Sequence, residues 1–107
     1  MLKIKPISKC KTVRELLEKK ARWTTDTFAR NKDGVAISSE KRAAVSFCLL
    51  GACQRVYQKD DAQRSIAVCK LRQAVNELSG YRSISIFNDS SQTTWSQIKA
   101  VIKKAGV

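Results

Sequence analysis

The stretch Ala43-Ala-Val-Ser-Phe-Cys-Leu-Leu-Gly-Ala-Cys53 is the longest apolar segment of the chain, with Ser46 as its one polar residue. It is too short for a membrane span, which needs about 20 apolar residues. Its apolar residues point in every direction around a helix, so neighbouring elements are expected to cover it on several sides. The pattern predicts a central helix that begins after an N-cap at Ser38 or Ser39, runs to about Tyr57 and is buried at residues 43–53.

Gly51 lies inside this predicted helix, where glycine costs about 1 kcal/mol relative to alanine. A second stretch of backbone that crosses the helix closely at this point would explain why a side chain is missing there. We therefore expect a close backbone approach at Gly51.

Capping patterns predict the other helices. Thr12-Val-Arg-Glu15 matches a capping box at the start of a first helix, and Thr94-Trp-Ser-Gln97 matches one at the start of the last helix. Between them, Asp60 or Asp61 can cap a third helix, and Gly80 is placed to end it in a left-handed conformation. These signals predict a mainly α, compact single domain of about four helices.

Three segments allow a minor β element. Thr27–Arg30 and Val35–Ile37 flank a turn at Asn31–Gly34 and can form a short hairpin. Ser83–Phe87 alternates polar and apolar residues as a short strand does. Residues 1–11 alternate apolar and basic residues, which predicts a basic N-terminal arm or edge strand ahead of a helical domain at residues 12–107.

The charge of the chain is strongly positive. Its 21 Lys and Arg residues against 9 Asp and Glu residues give a net charge of +12, and half of that charge lies in residues 1–22. Such a field favours polyanionic partners, nucleic acid above all. If these residues converge they form a binding face, and if they are dispersed they form solvated surfaces; the sequence leaves both open. Arg14, Lys19 and Arg22 are expected to face solvent on the first helix. The candidate polyanion-binding residues are Lys3, Lys5, Lys9, Lys11, Arg14, Lys19, Lys20, Arg22, Arg82, Lys99, Lys103 and Lys104.

The chain lacks histidine, which excludes Ser-His and Cys-His nucleophile systems and every Cys/His zinc pattern. The cysteines are Cys10, Cys48, Cys53 and Cys69, none of them in a C-x-x-C pair. We expect no metal and no cofactor. The first residues carry no continuous apolar run of the secretory type, so a cytoplasmic location with free thiols is expected, and Cys69 is the thiol expected to be most accessible.

Several short motifs, taken in order, resemble an uncharacterised family of small bacterial and bacteriophage proteins. The family shows W-T, F-A-R-x-x-D-G, C-x-x-G-A and W-N-D motifs, and this chain has Phe87 where the last tryptophan is usual. The resemblance spans about residues 12–106. It implies no established activity but favours a phage or mobile-element origin. The residues that carry it, expected to be structural, are Trp23, Phe28, Gly34, Cys48, Gly51, Ala52, Asn88, Asp89 and Thr94.

Three functional hypotheses follow. The leading one is a non-enzymatic binding protein that contacts nucleic acid or a nucleoprotein complex. The alternative is a phage-encoded inhibitor that docks on an acidic surface of a host protein, such as a defence or CRISPR effector. The third is an enzyme that uses Cys48 or the Asn88–Asp89 turn.

Overall fold

The computed structural model describes residues 4–107 and, within them, five α-helices and one short sheet, so the mainly α prediction is confirmed. The predicted cation Lys3 lies outside the described residues. The two strands pair antiparallel, with Ala29 opposite Phe47 and Arg30 opposite Ser46. In chain order the elements are α1 Val13–Leu16, β1 Ala29–Arg30, β2 Ser46–Phe47, α2 Leu49–Val56, α3 Asp61–Ser79, α4 Ile84–Asp89 and α5 Trp95–Ala105.

Helix α2 begins only at Leu49, in the second half of the apolar stretch, because residues 46–48 are extended. Residues 46–47 form β2, and Cys48 has the extended angles φ −79° and ψ 175°. The predicted cap at Ser38 or Ser39 is therefore wrong, since the Cys48 sulfur accepts the Gly51 N–H at 3.2 Å and caps the helix. A run of apolar residues has no period that separates a buried strand from a buried helix, so the boundary could not be read from the sequence.

The close approach predicted at Gly51 is confirmed. A Cβ added to Gly51 would lie 1.9 Å from the carbonyl oxygen of Phe28. The same oxygen accepts the Cys48 N–H at 3.1 Å. The backbone at Phe28 therefore rests directly on the first turn of α2, where a side chain has no room.

The predicted N-caps of α1, α3 and α5 are confirmed, and only the return hydrogen bond at the start of α1 has a different partner. Thr12, Asp60 and Thr94 each accept the N–H three residues ahead, and Thr94 forms the full capping box with Gln97. At Thr12 the return bond is different, because the Glu15 carboxylate accepts the Lys11 N–H. Helix α1 has four residues only.

Helix α4 replaces the strand that the alternation at Ser83–Phe87 predicted. The Ser83 hydroxyl accepts the Ile86 N–H and caps the helix. Ile84 and Phe87, three residues apart, are buried, whereas Ile86 is 62% exposed. Burial at i and i+3 is the helical pattern, and a segment with so few apolar residues fits both periods.

The predicted hairpin is reduced to a tight turn. Arg30 bridges Ala36, and the Asn31 N–H donates to the Val35 carbonyl, but β1 takes β2 as its strand partner. Residues 4–11 contain one 3₁₀ turn, Ile7–Lys9, where an arm or edge strand was expected. No helix among the described residues is both long and apolar enough to span a membrane.

The core lies between α2, α3 and α5. Phe47, Leu49 and Leu71 are fully buried there, and Ile98 packs from α5 into the same cluster. The N–H of Arg14 donates to the carbonyl of Val107 at 3.2 Å, which fastens α1 to the end of α5. Two elements from opposite ends of the chain therefore form one face of the domain.

We predict that Gly51→Ala destabilises the domain by about 1–3 kcal/mol, because the added methyl overlaps the Phe28 carbonyl. Helix propensity alone predicts the opposite sign, a gain of about 1 kcal/mol. Urea unfolding followed by tryptophan fluorescence measures the difference. Gly34→Asn is the control, since the space around Gly34 is open and asparagine tolerates its φ of +80°. Equal or higher stability of Gly51→Ala would contradict the close approach.

Candidate functional site

The motif residues meet at the side chain of Asn88. This residue is 1% exposed, and its Oδ1 accepts two hydrogen bonds, from Trp23 Nε1 at 2.9 Å and from the Leu49 N–H at 3.1 Å. Its Nδ2 donates to the Thr24 carbonyl at 3.1 Å. One buried amide thus joins α4, the start of α2 and the segment after Trp23.

Asp89 extends this connection to a strained turn. Its Oδ1 accepts Asn88 Nδ2 at 2.8 Å and the Asp26 N–H at 2.9 Å. Asp26 has φ +68°, a left-handed conformation that is uncommon for residues other than glycine, although Asp and Asn adopt it more readily. The carboxylate of Asp89 therefore stabilises the loop that leads to Phe28.

A cleft of about 190 Å³ opens beside these residues. Pockets for drug-sized ligands begin at about 300 Å³, so the cleft is small. Burial raises the pKa of the Cys48 thiol, which opposes nucleophilic chemistry at neutral pH. Within residues 4–107, no group of three or more metal-ligating side chains is found. The walls of the cleft include Asp26, Phe28, Cys48, Leu50, Asn88 and Asp89.

The remaining motif residues have local structural positions. Gly34 closes the turn after β1 with φ +80°, and Ala52 is fully buried in α2. Thr94 caps α5. Phe28 is a large apolar residue and is nevertheless 49% exposed.

Three of the predicted cations converge on a groove between α1 and α5. Arg14 comes from α1, while Lys99 and Lys103 lie four residues apart on α5 and so share one face of it. The groove has a volume of about 400 Å³. Leu17 and Ile102 also line it. We refer to this feature as the α1–α5 groove.

Other predicted cations are already engaged. Arg22 was expected to face solvent but is 8% exposed, and it donates to the Lys5 carbonyl at 2.7 Å and the Leu16 carbonyl at 3.5 Å. Lys5 itself pairs with Glu15, and Lys104 lies 3.2 Å from Glu77. Arg22 is therefore a structural residue that connects the segment at Lys5 to the end of α1.

The rest of the predicted cations lie elsewhere on the surface. Arg82 lines a different depression, together with Arg72 of α3. Arg72 was not among the predicted cations, although its spacing of three from Cys69 and four from Asn76 could have placed all three on one helical face. Lys9, Lys11, Lys19 and Lys20 are exposed and do not line the α1–α5 groove.

The fold and these sites define a small, basic, mainly helical domain built around a buried asparagine. The chain belongs to a family of unknown function, DUF6197, whose model matches residues 3–106. The resemblance to an uncharacterised family is thereby confirmed. Comparison with curated proteins and with solved structures finds no match.

We predict that Asn88→Ala lowers the free energy of unfolding by about 2–6 kcal/mol, because two buried N–H donors lose their acceptor at about 1–3 kcal/mol each. Urea titration with tryptophan fluorescence measures this loss. Asn76→Ala is the control, since its exposed 3.3 Å bond to Tyr81 contributes about 1 kcal/mol or less. Similar stabilities of the two variants would contradict the central role of Asn88.

The four thiols are expected to differ in reactivity. Cys69 is exposed, as predicted from the sequence, whereas burial raises the pKa of Cys53 to about 12. With Ellman's reagent at pH 8, one equivalent of thiol should react fast, and Cys48 and Cys53 should react only after unfolding. Cys10 is half-buried and burial raises its pKa, so it should react more slowly than Cys69. Cys69→Ser should remove the fast phase, and its persistence in that variant would contradict the assignment.

Proposed function

We propose that the protein is a non-enzymatic binding protein that contacts nucleic acid, alone or in a nucleoprotein complex, through the α1–α5 groove. The observation that carries the proposal is that Arg14, Lys99 and Lys103 line one groove although 85 residues separate the first two in sequence. A shared concave surface is the arrangement that lets several cations contact successive phosphates.

The groove is held from both sides. The Arg14 N–H donates to the Val107 carbonyl, so the position of α1 depends on the end of α5. Val13 and Leu16 are fully buried below it, and Ile98 and Val101 bury the inner face of α5. Packed helices therefore fix the backbone positions of the cations, so that ordering on binding a polyanion is limited to their side chains.

The three cations are available for a ligand. Across residues 4–107, no carboxylate lies within 4.0 Å of the charged groups of Arg14, Lys99 or Lys103. Glu18 is the single acidic residue among those that line the groove in the described part of the chain. With a net charge of +12 around it, the groove has a field that attracts phosphates.

The cleft of about 190 Å³ beside Asn88 and Asp89 has no catalytic role in this proposal. The Cys48 sulfur caps α2 and its pKa is raised by burial, while both polar atoms of the Asn88 amide are used in hydrogen bonds. Both side chains therefore have a role in stabilising the fold.

We further propose that the protein acts in a reducing cytoplasm, since its four cysteines are unpaired.

We predict that the protein is retained on immobilised double-stranded DNA or RNA with a steep salt dependence. Each phosphate contact contributes about −0.9 to the slope of log K against log salt concentration for B-DNA. Removing two cations with Lys99→Gln and Lys103→Gln should therefore make the slope shallower by about 2. Glu18→Gln should tighten binding, because it removes the carboxylate of a residue that lines the groove.

The matched control carries Lys32→Gln and Lys59→Gln, which remove the same charge from exposed positions outside the groove. It should change the slope by less than the groove variant does. Equal effects of the two pairs would contradict the groove as the contact surface. No retention at about 50 mM salt would contradict nucleic-acid binding itself and favour the alternative, a phage-encoded inhibitor that docks on an acidic host protein.

A further inference from the structure

A second concave surface lies along α2 and α3, away from the α1–α5 groove. It consists of two adjoining depressions, of about 690 and 430 Å³, that share Cys69 and Arg72. Together they run from Glu40, past α3, to Arg82. We call this surface the arginine trough.

The larger depression of the arginine trough has an apolar floor between polar walls. Leu50 of α2 and Val68 of α3 contribute to this floor, and Phe28 lies at one side. Phe28 is 49% exposed, and its backbone is fixed by the contact with Gly51. An exposed aromatic ring on a fixed backbone is typical of a residue that anchors a protein interface.

The rim is cationic, and all of its cations are arginines. Arg64, Arg72 and Arg82 line the trough, whereas lysine is the more frequent cation in the chain as a whole. Interfaces between proteins are enriched in arginine and aromatic residues and depleted in lysine. Among the described lining residues, Glu40 is the one carboxylate. Arg64 lies 2.7 Å from Asp61, in an exposed pair that contributes little to stability.

We infer that the arginine trough docks a segment of a partner protein that carries an apolar anchor flanked by Asp or Glu side chains. The apolar floor matches the anchor, and planar guanidinium groups bind carboxylates with two parallel hydrogen bonds. A single-stranded nucleic acid fits less well, because Phe28 is the one aromatic side chain among the described lining residues on which a base could stack.

The test is selection of 16-residue peptides from a random display library on the intact protein, followed by fluorescence anisotropy with the enriched peptides. We expect enrichment of sequences with an apolar residue flanked by at least two acidic residues. The double variant Arg72→Glu and Arg82→Glu should weaken their binding at least tenfold. The variant Arg72→Lys and Arg82→Lys should weaken it several-fold, because it keeps the charge and loses the planar fork.

The groove variant Lys99→Gln and Lys103→Gln is the control, and it should change peptide affinity less than twofold. Its effect on DNA retention tests the α1–α5 groove separately, so either proposal can fail alone. Circular dichroism melting establishes that each variant is folded, and the arginine-to-lysine variant provides the test if charge reversal unfolds the domain.

Two results would overturn the inference. One is enrichment of peptides without flanking acidic residues, or of peptides that bind the Arg72 and Arg82 variants as tightly as the unmodified protein. The other is loss of binding to a 20-nucleotide single-stranded DNA in the charge-reversal variant with no change in peptide affinity, which would assign the trough to nucleic acid.

Discussion

The hydrogen bonds of the buried Asn88 amide connect three parts of the fold, which are α4, the start of α2 and the segment after Trp23. Trp23 and Leu49 donate to it, and it donates to the Thr24 carbonyl. Without the Asn88 side chain, the N–H groups of Trp23 Nε1 and Leu49 would lose their acceptor. Each loss would lower the free energy of unfolding by about 1–3 kcal/mol. The side chain of Asn88 therefore helps to place α4 against α2, and the loop before β1 against both, beside the apolar packing of Ile84 and Phe87.

The sequence predicted those parts of the fold that depend on local chemistry. Thr12, Asp60 and Thr94 are caps because a short side chain with an oxygen acceptor satisfies free N–H groups at a helix start, whatever the rest of the chain does. Gly51 was recognised from the cost of a glycine inside a helix. The secondary structure was predicted wrongly at residues 43–48 and at α4, because short apolar runs fit both the helical and the strand period.

Less of the candidate site could be predicted, because it depends on tertiary contacts. The sequence identified Arg14, Lys99 and Lys103 as cations, but their shared groove arises from the packing of α1 against α5. Arg22 shows the opposite case, in which a residue expected at the surface satisfies backbone carbonyls in the interior. The arginine trough had no sequence signal beyond the helical spacing around Arg72, since half of its floor belongs to another helix.

The loop between Trp23 and β1 is held mainly through its main chain. Asp89 accepts the Asp26 N–H, Asn88 contacts the Thr24 carbonyl, and the Phe28 carbonyl rests on α2. The side chains of Thr25, Asp26 and Thr27 take little part in this attachment. Substitutions at Thr25 and Thr27 can therefore change the surface chemistry of this loop without changing its path, whereas the left-handed backbone of Asp26 favours Asp, Asn or Gly at that position.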